Sequence, residues 1–124
     1  MGASDLEKVK MRTAKIVIAV TLASLMPAFG AGKSTRFWNL TLSTVTELRL
    51  APIGTDKFGT NLCLNDDDAK VDHDERLKVG DVETGQYDAK IGFAGGRMCR
   101  AQNLSIEAGQ VFSVEEKDLV DCSK

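Results

Sequence analysis

The segment spanning residues 85–97 constrains the fold more than any other part of the chain. Every second residue from Tyr87 to Phe93 is apolar, and this alternation is typical of a strand with one buried face. The next four residues, AGGR at 94–97, predict a tight hairpin turn because a Gly-Gly pair accepts the positive φ angles of such turns. Residues 98–104 then supply the returning strand. The chain should therefore contain an antiparallel hairpin.

Other stretches of the chain also have the character of short strands. They are rich in β-branched or aromatic residues or alternate in polarity, and they cover residues 35–42, 45–51, 75–79 and 110–115. Residues 116–121 fit either a helical turn or a final extended segment. Six to seven short strands without a helix of normal length predict an all-β fold, and we expect a small antiparallel β-sandwich, with an open barrel as the alternative.

Residues 53–74 separate the early strands from the later ones and show neither strand nor helix periodicity. They are rich in Gly, Thr, Asn and Asp, which predicts a loop. Loops of this length are usually functional or need anchoring. We expect Phe58 and Leu62 to anchor this one by packing onto the sheet.

The first 32 residues have the features of a secretory signal peptide. Basic residues precede an apolar run of eleven at 16–26, and small residues around Gly30 provide a cleavage site. Met11 is an alternative start, since residues 11–15 form a complete basic region. An uncleaved anchor helix is the other reading, but the run is short for a membrane span. We therefore expect residues 1–32 to be a signal peptide, residues 33–124 to form one domain, and the protein to be periplasmic or secreted.

The charge balance of the mature part argues against some partners. The whole chain has a formal charge of −2, but residues 33–124 hold 12 basic and 16 acidic residues and so carry −4. Nucleic-acid binding draws its affinity from clustered Lys and Arg, and no such cluster stands out along the sequence. No second apolar run of membrane length follows the first. We expect neither a nucleic-acid partner nor membrane attachment after cleavage.

Three cysteines lie in the mature part, where an oxidising compartment permits a disulfide. We predict that Cys99 pairs with Cys122, which would fasten the C-terminal tail to a core strand and leave Cys63 free or in an intermolecular bond. A bridge between Cys63 and Cys99 is the alternative.

The acidic stretch at residues 65–78, NDDDAKVDHDERLK, is the strongest candidate for a binding site. Several carboxylates in a flexible loop are what Ca²⁺ needs. Aligned with an EF-hand loop, the chain places Asp66, Asp68, Asp72 and Glu75 at ligand positions. However, Leu64 occupies the first ligand position, Ala69 replaces the turn glycine, and flanking helices are missing. These four residues therefore predict a looser calcium site, against the alternative of a solvated acidic loop.

The residue types and their spacing give little support for a catalytic function. His73 is the only histidine and stands between two aspartates, where we expect an exposed loop residue; one His with a distant Cys63 is little support for zinc. No nucleophile signature surrounds any cysteine. Trp38, Phe37 and Phe58 could form a carbohydrate or peptide platform if they were exposed, but aromatics in a small sandwich more often lie in the core, and we expect these to do so.

Several motifs resemble known proteins. The segment GQYD at 85–88, with glycines near 80, 95–96 and 109, resembles transthyretin-like or carboxypeptidase-regulatory sandwiches. The segments FWNLT at 37–41, LRLAP at 48–52, VDHDERLK at 71–78 and FSVEEKDL at 112–119, together with GQYD, resemble a family of small exported bacterial proteins of unknown function. The resemblance implies export and an all-β fold, and supplies no catalytic residues.

The expectation from sequence is thus an exported binding or structural module of the bacterial envelope that is not an enzyme. Its partner would be an envelope protein or a glycan. A calcium-binding or calcium-stabilised module that uses residues 65–75 is the alternative, and a small exported hydrolase is a third.

Overall fold

The structure is a computed structural model that describes residues 33–124, so the predicted signal peptide at residues 1–32 lies outside the described residues. Strands dominate this part of the chain. In chain order they are β1 (Thr35–Leu40), β2 (Val45–Pro52), β3 (Arg76–Gly80), β4 (Gly85–Phe93), β5 (Met98–Ile106), β6 (Val111–Glu115) and β7 (Leu119–Ser123). Short 3-10 helices lie at Leu62–Asn65 and Glu116–Asp118. No helix within residues 33–124 has the length and apolar character needed to cross a membrane.

The strands form two sheets. A three-stranded sheet has the order β3-β1-β6, and a four-stranded sheet has the order β2-β4-β5-β7. All neighbouring strands run antiparallel except β1 and β6, which are parallel. The predicted all-β sandwich is confirmed, with one parallel pair that the sequence did not predict.

The core lies between the two sheets and draws on both. The three-stranded sheet contributes Phe37, Leu77 and Phe112, and the four-stranded sheet contributes Leu48 and Ile91. The rings of Phe37 and Phe112 lie side by side on parallel strands, with their centroids 5.6 Å apart. Such aromatic pairs stabilise a core beyond the area they bury.

The predicted hairpin, the feature that most constrains the fold, is present as β4 and β5. Ala89, Ile91 and Phe93 are buried, as the alternation predicts. Gly95 and Gly96 both have φ +99°, a conformation that glycine adopts at little cost. The Phe93 N–H donates to the Arg97 carbonyl across the turn at 2.9 Å.

Alternation is less regular in β2 than the sequence suggests. Val45 and Leu48 are both fully buried although they are three residues apart, because the register against β4 shifts between Val45 and Glu47. An irregularity of this kind turns successive side chains to the same side. Leu50 consequently packs only partly buried against the core, while Ala51 is buried.

The cysteines pair as predicted. Cys99 on β5 bonds to Cys122 on β7 with an S–S distance of 2.03 Å, and Cys63 is a free thiol buried in the core. Burial raises the pKa of the Cys63 thiol to about 11. Leu62, next to Cys63, packs against the core and anchors the long loop as expected. Phe58 also packs onto the four-stranded sheet, but on its outer side, where it is partly exposed beneath Lys90 and Arg100. The expectation that Phe58 belongs to the core was therefore wrong.

Candidate functional site

Asp66 and Asp68, two of the four predicted calcium ligands, lie together on one turn. The interaction between their carboxyl groups raises the pKa of Asp66 and lowers that of Asp68. The Lys70 N–H also donates to Asp68 Oδ1 at 3.2 Å. Ala69, at the position of the EF-hand glycine, has φ +57°. The backbone thus makes the left-handed turn that the template requires, with alanine in place of glycine.

Asp72 and Glu75, the other two predicted ligands, are engaged in a second turn. Thr44 Oγ1 donates to Asp72 Oδ1 at 2.8 Å, and the Asp72 N–H donates to Glu75 Oε1 at 2.8 Å. Within residues 33–124, no three carboxylate, histidine or cysteine side chains are grouped so that they could hold one metal ion. The four predicted ligands therefore form two local pairs, and calcium binding stays a prediction.

His73 is exposed, as expected, and takes part in a structural contact. Its Nδ1 lies 2.6 Å from the Thr41 carbonyl oxygen, a pairing that places the ring proton on Nδ1. Cys63 lies in the core with no exposed surface. These two side chains are therefore in different environments, and His73 serves to hold the acidic loop against the end of β1.

Asn39 and Thr41, two of the three buried polar side chains of residues 33–124, belong to one structural network. Asn39 is fully buried, and its Nδ2 donates to the carbonyls of Ser43 and Val71 at 2.9 and 2.8 Å. Its Oδ1 accepts from the Thr41 N–H and hydroxyl at 3.0 and 2.6 Å. The amide thus uses its full bonding capacity. It fixes the β1–β2 connection and leaves no polar atom free for a ligand.

The outer face of the three-stranded sheet carries the group of side chains best suited to a partner. Because Phe37 and Asn39 point into the core, their neighbours Arg36 and Trp38 point outward. Strand pairing sets Lys78 opposite Arg36, and Arg76 opposite Trp38. We call Arg36, Trp38, Arg76 and Lys78 the basic face.

Trp38 lies at the centre of the basic face and is held by two contacts. Its Nε1 donates to Asp74 Oδ1 at 3.0 Å, and the Arg76 guanidinium carbon lies 4.1 Å from the ring centroid. The side chain is partly exposed, whereas Phe37 is fully buried. The expectation that Trp38 belongs to the core was wrong, and that for Phe37 was right.

The cations of the basic face are exposed and lack acidic partners. None of Arg36, Arg76 and Lys78 forms an ion pair with a carboxylate of residues 33–124. On the outer face of the other sheet, Arg49 pairs with Glu47 and Arg100 pairs with Asp56. Three cations without ion pairs to residues 33–124 therefore lie on one sheet face of a domain whose net charge is negative, with the Asp74 carboxylate beside Trp38 at its centre.

An open groove of about 290 Å³ lies where β2, β3 and β4 diverge. Its walls include Leu50, Leu62, Val79, Val82, Glu83 and Tyr87. The Tyr87 hydroxyl donates to the Glu83 carbonyl at 2.7 Å, so this polar group is already satisfied. We assign no ligand to the groove.

The basic face could not be predicted from the sequence for a specific reason. Its cations come from two strands separated by a long loop, and nothing local indicates that β1 and β3 pair. The one clue in the sequence is the alternation in β1, which predicts that Arg36 and Trp38 lie on the strand face opposite to that of Phe37. That clue was obscured because the inward position next to Trp38 holds the polar Asn39.

Comparison of the chain with known protein families, with curated proteins and with solved structures found no match. The resemblance to a family of small exported bacterial proteins therefore stays a prediction.

Proposed function

We propose that the protein is an exported, non-catalytic binding module of the bacterial envelope, and that the basic face is its contact surface. The observation that carries the proposal is a partly exposed tryptophan surrounded by three cations without ion-pair partners among the described residues. Aromatic and Arg side chains are enriched where proteins bind partners. Export agrees with the disulfide between Cys99 and Cys122, since such bonds persist in oxidising compartments.

The charge distribution supports a partner of negative charge. An exposed cation without an acidic neighbour on its own protein is available to a ligand anion without first breaking an internal ion pair. Arg binds carboxylate and phosphate groups through two parallel hydrogen bonds. Arg36 and Arg76 can therefore contribute orientation as well as attraction.

Co-sedimentation of the exported protein with washed envelope fragments tests the proposal. We expect binding of the wild type that weakens at high salt, because exposed charges are screened. W38A and the triple variant R36Q/R76Q/K78Q should each lose most of this binding. The matched control K57Q/K70Q/K90Q removes three positive charges from other surfaces and should bind like the wild type. Equal loss in both triple variants, or no loss in either, would reject the basic face as the contact surface.

A calcium-stabilised module is the second candidate function. It is favoured by the left-handed conformation of Ala69 at the template's glycine position, between the Asp66–Asp68 pair and the Asp72–Glu75 pair. Binding would require the two pairs to converge and to exchange their present hydrogen bonds for the metal.

A further inference from the structure

We propose that the ligand of the basic face is an acidic glycan, a saccharide chain that carries a carboxylate or phosphate on its sugars. This inference rests on the proposed function, because it names the partner of the same surface. It draws on the geometry of the face, on the Arg76–Trp38 stack and on the charge of the rest of the domain.

The spacing of the cations suits an extended ligand with separated charges. Arg36 and Lys78 are cross-strand neighbours, and Trp38 with Arg76 forms the next outward pair along the same two strands. Outward positions on one strand repeat about every 7 Å, and adjacent strands lie about 4.8 Å apart. A single small anion could contact only part of this area, whereas a chain with one charge on each sugar could reach all three cations.

The Arg76–Trp38 stack can contact both the anionic group and the C–H groups of an acidic sugar. The guanidinium covers part of the indole, and Trp38 stays partly exposed beside it, so a carboxylate can bind Arg76 while C–H groups of the same sugar pack against the uncovered part of the ring. The Nε1 bond to Asp74 fixes the indole before any ligand arrives. A side chain held in this way loses little conformational freedom on binding, which favours affinity.

The rest of the domain disfavours a denser polyanion. Double-stranded DNA carries a negative charge about every 1.7 Å along its axis, and a domain with a net charge of −4 would repel a polymer of that charge density beyond the small basic face. A glycan with one charge on each sugar can pair with the three cations. Its lower charge density gives less repulsion from the acidic rest of the domain. The outcome with an oligonucleotide is therefore part of the test.

Intrinsic fluorescence provides the measurement, because Trp38 is the only tryptophan in the chain. The exported protein would be titrated with an oligogalacturonate, with its methyl ester, with oligoglutamate and with a single-stranded oligonucleotide. We expect a saturable fluorescence change with the oligogalacturonate, at least tenfold weaker binding of the uncharged ester, and weaker binding of both non-saccharide polyanions. R36Q/R76Q/K78Q should weaken oligogalacturonate binding at least tenfold, and K57Q/K70Q/K90Q should leave it unchanged.

The result separates this inference from the proposed function. If the ester binds as well as the acid, if oligoglutamate or the oligonucleotide binds as tightly, or if none binds, the acidic glycan is rejected. Envelope binding that still depends on the basic face would then leave the proposed function standing. Loss of that dependence would overturn both. Unchanged thermal unfolding of the two triple variants would show that the substitutions do not act through the fold, including K90Q, which removes the cation over the Phe58 ring.

Discussion

At the scale of single residues, Asn39 decides how the first two strands meet. Asn39→Ala removes the acceptor of the buried Thr41 N–H and hydroxyl, and a buried group without a partner costs about 1 to 3 kcal/mol. We expect urea denaturation to show a loss of about 3 kcal/mol, since more than one bond is broken. Asn39→Asp should cost more, because its carboxylate would face two carbonyl oxygens in the core.

Asn65→Ala is the control for Asn39. The Asn65 amide also donates to a backbone carbonyl, that of Lys78, but it does so at the exposed surface. Water can replace such a bond, and the loss should stay below about 1 kcal/mol. If Asn39→Asp were as stable as Asn65→Ala, the buried network would not contribute to stability as its geometry implies.

Glu116 should make the stability of the fold depend on pH. Its carboxylate accepts from the Leu42 N–H at 3.1 Å and from Arg97 Nη1 at 2.9 Å, and these bonds lower its pKa. A carboxyl whose pKa is lower in the folded state stabilises the protein above its unfolded pKa of about 4.3, and the contribution disappears as pH falls through the folded pKa. Because the side chain is 36% exposed, we expect a contribution below about 1 kcal/mol.

Urea denaturation of the wild type and Glu116→Gln between neutral and acidic pH measures this contribution. The variant should be less stable at pH 7, and the difference should vanish once Glu116 is protonated in the wild type. Glu107→Gln is the control, because the exposed Glu107 side chain makes no hydrogen bond or ion pair with other residues of the 33–124 segment. A difference that grew on acidification would contradict the assigned role.

At the scale of strands and turns, the disulfide determines how firmly β7 is held. This strand lies at a sheet edge, and four of its five residues are exposed. The bridge to β5 closes a separation of 23 residues, which corresponds to about 3 kcal/mol of stabilisation in the chain-entropy treatment. We expect C99A/C122A to lose about that amount in urea denaturation, and the reduced wild type to lose a similar amount.

Hydrogen exchange locates the effect of removing the bridge. The backbone N–H groups of β7 should exchange faster in C99A/C122A, relative to global unfolding, while those of β4 follow the global stability, because β4 lies between β2 and β5. Uniform acceleration in both strands would show that the bridge acts on the whole domain and not on the edge strand.

The burial of side chains could be predicted from the sequence in some strands and not in others. Ala89, Ile91 and Phe93 were predicted correctly because their alternation is uninterrupted and ends at a Gly-Gly turn. In β1 the usual pattern is inverted, since the polar Asn39 is buried and the apolar Trp38 faces outward. Burial of Asn39 depends on carbonyls from residues far along the chain, such as Val71, and no local pattern encodes such a partner.

The candidate site was less predictable than the strands for a related reason. Arg36 and Lys78 become neighbours only through pairing across a long intervening loop. The parallel pairing of β1 with β6 likewise joins opposite ends of the domain. The acidic loop was conspicuous in the sequence because its charges are contiguous, whereas the basic face is assembled by topology alone.

At the scale of the whole molecule, charge is unevenly distributed. Residues 33–124 carry a net negative charge, with aspartates concentrated in the loop at residues 65–75 and cations without ion pairs to these residues on one sheet face. Such an uneven distribution draws an anionic partner toward the basic face and a cation toward the loop. The two regions meet where Trp38 donates to Asp74, so the variants that separate them leave both of these side chains in place, R36Q/R76Q/K78Q on the face and D66N/D68N in the loop.

Thermal unfolding in the presence of calcium tests the loop. A ligand that binds only the native state stabilises it by RT ln(1 + [L]/Kd), so a calcium concentration ten times Kd should contribute about 1.4 kcal/mol. Extracellular calcium modules commonly have Kd values of about 10⁻⁴ to 10⁻³ M. The calcium candidate therefore predicts a higher midpoint at millimolar calcium, and D66N/D68N should abolish the increase.

Asp81→Asn is the matched control for the calcium titration, since it removes an exposed aspartate outside the loop and should keep the full response. Magnesium should have a smaller effect than calcium, because Mg²⁺ demands near-ideal octahedral geometry and gives up its water reluctantly. A midpoint that does not move with calcium would leave Asp66 and Asp68 as a solvated turn. In that case, the basic face would be the only binding surface proposed for the domain.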